Sequence, residues 1–62
     1  MKVEIIKNGQ TVQEYNQSVE ALVPSKHDLI EIDGEQHTVI ARRVSHTVDD
    51  KKRVHYQVSI YV

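Results

Sequence analysis

A chain of 62 residues with a formal net charge of −1 and no cysteine is one domain, close to the lower size limit for folding without a metal, a disulfide or a partner. That composition excludes a disulfide framework and a thiolate metal site, and a reducing cytoplasm is the expected location. No apolar run reaches the length of a signal-peptide core or a membrane span, so no membrane partner is expected.

Period-two alternation dominates the chain. Val3 and Ile5 alternate with charged or solvent-side positions, and Asn8-Gly9 follows, the dipeptide best suited to a two-residue hairpin turn. The first two strands are therefore expected at about residues 2 to 7 and 10 to 15. The stretch NQSVEALVPSKHD, residues 16 to 28, does not alternate. Val19, Leu22 and Val23 are spaced for a turn of helix with Ser18 as N-cap, and Pro24 disfavours helical geometry in Val23. A long loop over residues 16 to 27 is expected to cross an open end of the sheet and plug it with Leu22 or Val19.

After Pro24, Ile30 and Ile32 share one face and Asp33-Gly34 signals a second hairpin. The fourth strand is expected from about Gln36 to about His46, and the turn VDDKK leads into a fifth. In the fifth, Val54, Tyr56, Val58, Ile60 and Val62 alternate cleanly with His55, Gln57, Ser59 and Tyr61. Strict alternation in the fourth strand places Arg43 beside His37, Val39 and Ala41. A bulge at Arg42-Arg43 shifts the phase by one, brings Val44 and His46 onto the inner face with Val39 and Ala41, and bends the strand. Five short antiparallel strands, one of them bent, predict a single all-β domain over residues 1 to 62: a small SH3-like barrel or a strongly bent meander.

With three Tyr and no Phe or Trp, the interior must be mainly Val and Ile, roughly a dozen side chains by size scaling. Residues 1 to 35 carry a formal charge of −4 and residues 36 to 62 carry +3. Such a split can mark a polynucleotide or acidic-partner face. The plainer expectation is that the halves neutralise each other across adjacent strands.

Residues 24 to 44, PSKHDLIEIDGEQHTVIARRV, resemble a pattern of short phage and prophage proteins. That pattern runs Pro, an acidic residue, an apolar-acidic alternation, Asp-Gly, then a strand with an alternate apolar face and a following basic residue. His37 departs from it, since that position is often aromatic there. The resemblance implies a small barrel from a mobile genetic element and no catalytic residues.

Four classes of function compete. Histidine chemistry rests on His46 facing His55 across an even-numbered loop, about 5 Å apart, yet a closed metal site needs three or four ligands, so no metal or cofactor is expected. Ser18, Ser25, Ser45 and Ser59 lack a strained Gly-flanked elbow, and Asp49-Asp50 is explained by turn propensity, so no enzyme activity is expected. A nucleic-acid surface would use Arg42, Arg43, Lys51, Lys52 and Arg53, with Tyr61 and His55 stacking on bases, although the chain is slightly acidic overall. A protein-binding module is the preferred expectation. The terminal VSIYV is uncharged, and small β domains with open edges add a strand from another chain or form homodimers edge to edge. Arg42, Arg43 and Tyr61 are its expected contact residues, and the basic hairpin through Lys51, Lys52 and Arg53 carries the nucleic-acid alternative.

Overall fold

The structure is a computed structural model describing all of residues 1 to 62. Six strands form: β1 Lys2–Lys7, β2 Gln10–Asn16, β3 Leu29–Ile32, β4 Glu35–Thr38, β5 Ala41–Val48 and β6 Val54–Tyr61. They divide into a four-stranded sheet in the order β2-β1-β6-β5 and a separate two-stranded β3-β4 hairpin. The protein is all-β, but the sheets do not close into a barrel. Nor is it a pure antiparallel meander, since β1 and β6 pair in parallel, with Val3 beside Val58 and Ile5 beside Ile60.

Both short hairpins form where the turn dipeptides place them. Asn8 and Gly9 have φ of 53° and 78°, Asp33 and Gly34 of 52° and 81°, the doubly positive geometry that fits the twist of flanking strands. The β1–β2 ladder skips Val12, because Ile5 faces Gln13 and Ile6 faces Thr11. This bulge was not anticipated.

The expected fourth strand is two strands. β4 ends at Thr38, and Val39 and Ile40 carry the chain from one sheet to the other. Val39 N–H donates to the Asp28 carbonyl while Ile40 N–H donates to that of Tyr61 at 2.8 Å. Tyr61 also faces Ala41, so two successive residues oppose one. The phase shift exists, but it sits at Ile40-Ala41. From Ala41 to Val48 the β5–β6 ladder is unbroken, which corrects the expected bulge at Arg42-Arg43. The fully buried Val39 anchors the crossing. Ala41 lies opposite Tyr61 and Val44 opposite Val58, so Val44 faces inward as expected and Ala41 does not.

Six side chains are fully buried: Val3, Ile5, Val23, Val39, Val58 and Ile60, with Tyr15, Ile30, Ile32 and Val62 packed against them. Every fully buried residue is Val or Ile. Residues 17 to 28 cross the sheet with a single 3-10 turn at Glu20–Leu22, whose N-cap is Val19 and has no side-chain cap bond. Ser18 therefore does not cap it. The plug is Val23, 3% exposed, whereas Leu22 is 64% and Val19 50% exposed. Pro24 keeps Val23 out of the helical turn that carries Leu22, extended at φ −78° and ψ 126°. Between β2 and β3 the two sheets remain apart, leaving an open gap lined by Ile5, Tyr15, Pro24, Ile30 and Ile32.

Candidate functional site

Register partners on adjacent strands share a face. The inner face of β5 and β6 therefore carries Arg42, Val44, His46 and Val48 opposite Ile60, Val58, Tyr56 and Val54. β1 begins level with Gln57, so this ribbon runs past the end of its neighbour with only two strands. Val58 and Ile60 are buried in the core with Val23 and Val39, and Arg42 is largely covered, while the rest of this face is open. Val44, Val48, Val54 and Tyr56 are each roughly half exposed. The Tyr56 ring lies 5.9 Å from that of His46, tilted by 58°. At the root of the ribbon, Val44, Tyr56, Val58, Met1, Glu20 and Arg42 line an open groove of about 370 Å³.

The ribbon's tip is held by one carboxylate. Asp49 accepts the N–H groups of Lys51 and Arg53, both at 2.9 Å, the Arg53 guanidinium at 2.9 Å and the His55 Nε2 at 3.0 Å. The His55 bond first, then the backbone N–H of Arg53, hold the Asp49 carboxyl below the usual carboxylate range. The resulting loop is odd-numbered. It sets His46 opposite Tyr56 and His55 opposite Thr47, so the expected His46–His55 facing pair does not form and the two imidazoles lie on opposite faces.

The six residues expected to make contact are dispersed. Arg42 points to the inner face, its guanidinium 3.5 Å from the Glu20 carboxylate and 3.5 Å from the Ser25 hydroxyl. Its side chain is 24% exposed, and its buried Nε has no partner. Arg42 thus ties the crossing segment to the sheet. Arg43 faces outward opposite Ser59, on the same face as the half-buried Tyr61. Lys51 and Lys52 stand at the tip, with Lys52 at φ 62°, and Arg53 folds onto Asp49. The five basic residues therefore do not share one face of the hairpin.

Comparison with protein-family models, curated proteins and solved structures returned no match. The site must be read from its own chemistry.

Of the ion pairs, Lys2–Glu14 and Lys7–Glu35 lie within the acidic half, and Arg53–Asp49 within the basic half. Only Arg42–Glu20 joins the two halves. The expected mutual neutralisation across strands is confined to that contact, and the ribbon keeps its own charge pattern. What sequence reasoning passed over was the bare apolar strip. The alternation of β6 is visible, but alternation does not show where the cover ends, so Val54 and Tyr56 look the same as the buried Val58 and Ile60. No helix is long and apolar enough to cross a membrane.

Proposed function

We propose that this protein is a non-catalytic protein-binding module that docks through the inner face of the β5–β6 ribbon. The observation that carries this reading is the contiguous strip of Val44, Val48, Val54 and Tyr56 left half exposed beyond the sheet's cover. Apolar side chains grouped on one face, rimmed by Arg42 and Glu20, have the make-up of a docking surface. The groove at the ribbon's root is near the lower end of ligand-pocket volumes and suits one anchoring side chain of a partner. The resemblance of residues 24 to 44 to short phage proteins supports a partner from a phage or its host and a cytoplasmic setting.

The test is capture from nuclease-treated lysate by the wild-type chain and by a Val54→Lys/Tyr56→Lys variant. Both positions are about half exposed, so the variant should fold. A partner retained by the wild type and lost by the variant is the expected result. Equal capture by both overturns the reading. Binding of single-stranded oligonucleotide that weakens steeply with salt would replace it with the nucleic-acid alternative.

A further inference from the structure

β5 is an edge strand of the four-stranded sheet, with β6 on one side and no neighbour on the other. Its backbone phase is readable. Asp49 N–H donates to the Arg53 carbonyl at 3.0 Å, so, counting back in twos, Thr47, Ser45 and Arg43 turn their peptide groups toward β6. The peptide groups of Arg42, Val44, His46 and Val48 then face the open edge. Natural edges of this length are commonly guarded by charge, proline or a bulge. From Val44 to Val48 this one has none of these.

The residues from 42 to 50 read Arg-Arg-Val-Ser-His-Thr-Val-Asp-Asp. This segment is complementary to its own reverse: two cations, a β-branched residue, a hydroxyl, histidine, a hydroxyl, a β-branched residue, two anions. We infer that two copies of this chain pair antiparallel along β5, about a two-fold axis through His46, to form one continuous eight-stranded sheet. In that register Val44 faces Val48 of the partner copy, Ser45 faces Thr47, and the end that carries Arg43, which makes no ion pair within its own chain, meets the Asp49-Asp50 end. The residues whose peptide groups point outward face one another, so the hydrogen-bond phase and the charge pattern select the same alignment. Moving the axis to Ser45 keeps the backbone phase but sets Arg42 opposite Val48 and leaves the acids past the end of the ladder. The other edge strand, β2, is bulged at Val12, and pairing β5 with it would give an open-ended array instead of a closed pair.

The size of the exposed surface agrees. The chain exposes 4740 Å², about 600 Å² more than the roughly 4100 Å² that size scaling gives for a compact chain of this mass. An elongated body with an unpaired edge exposes such a surplus, and pairing along β5 takes up part of it. The dimer is independent of the docking proposal above, because edge pairing uses backbone groups and sets only Val44 and Val48 at the seam, while Val54 and Tyr56 on β6 stay open to solvent on both copies.

A chain without cysteine permits a clean register test by single substitutions. His46→Cys should form a covalent dimer on mild oxidation, since identical residues meet only on the axis and facing Cα atoms lie within disulfide reach. Val44→Cys alone and Val48→Cys alone should not cross-link, while an equimolar mixture of the two should give the heterodimer. Sedimentation equilibrium of the unmodified chain should show a dimer. A monomer up to about 100 μM, a concentration matching only weak association, or equal cross-linking at all three positions overturns the inference. Partner capture by the unmodified chain, with a Tyr56→Lys control, is scored separately and fails or succeeds without reference to the dimer.

Discussion

Arg42 and Arg43 are neighbours of the same type, and the strand gives them opposite tasks. Arg42 faces inward and ties the crossing segment to the sheet through Glu20 and Ser25, while Arg43 projects outward without an ion pair. Their difference is not legible in the sequence because it depends on where the phase shift falls, and that shift sits at Ile40-Ala41. Asp49 is the residue with the clearest energetic role. Its carboxyl is held below the ordinary range, so the bonds it makes favour the folded state above the carboxyl's unfolded value and are lost as pH falls through the lower, folded one. Stability should therefore fall on acidification below about pH 4, and Asp49→Asn should flatten that part of the profile while lowering stability at neutral pH. Chemical denaturation of both proteins across the acid range checks this. Identical pH slopes would show that Asp49 does not hold the turn.

The segment between β2 and β3 departs most from the packing its spacing predicts. Spacing of three and four nominated Val19 and Leu22 as the plug, yet Val23 is the buried residue. Val23→Ala should cost about 1–3 kcal/mol, being a cavity-forming truncation smaller than those from leucine, whereas Leu22→Ala should lie within about 0.5 kcal/mol of wild type as an exposed change. Urea titration of the two variants distinguishes the arrangements, and a larger loss from Leu22→Ala would restore the original one. The hairpins were legible because Asn8-Gly9 and Asp33-Gly34 carry their own conformational signal. The division of the fourth strand was not, since the pattern of HTVIARRV shows that the phase breaks but not that the chain changes sheets there, which only the tertiary hydrogen bonds of Val39 and Ile40 reveal. The apolar strip was hidden for a related reason: buried and half-exposed valines look the same in sequence.

At the scale of the molecule, six fully buried side chains form a small core, and the body is long for its size. Its extents are 41 × 24 × 18 Å and its radius of gyration is 12.5 Å, against about 10.5 Å for a compact chain of this length. A two-stranded ribbon with few neighbours is marginal alone, and a single core of this size supplies only about 3–5 kcal/mol. Association through β5 would add to both. The thermal midpoint should then rise with protein concentration, as linkage requires of a folded dimer in equilibrium with unfolded monomer. Calorimetry over a hundredfold concentration range checks it. A constant midpoint would mean that the monomer is stable by itself.

The parallel pairing of β1 with β6 also orders events in time. Val3 meets Val58 and Ile5 meets Ile60, partners made about fifty residues later, which at the usual pace of synthesis is a wait of roughly 3–10 s. Until then the β1–β2 hairpin has no sheet to complete and stands with its apolar face open. The strand that finishes the core is also the one that supports β5, so the sealed interior and the β5–β6 ribbon depend on the same late segment. Newly made chains would thus expose their own core until that last segment closes it.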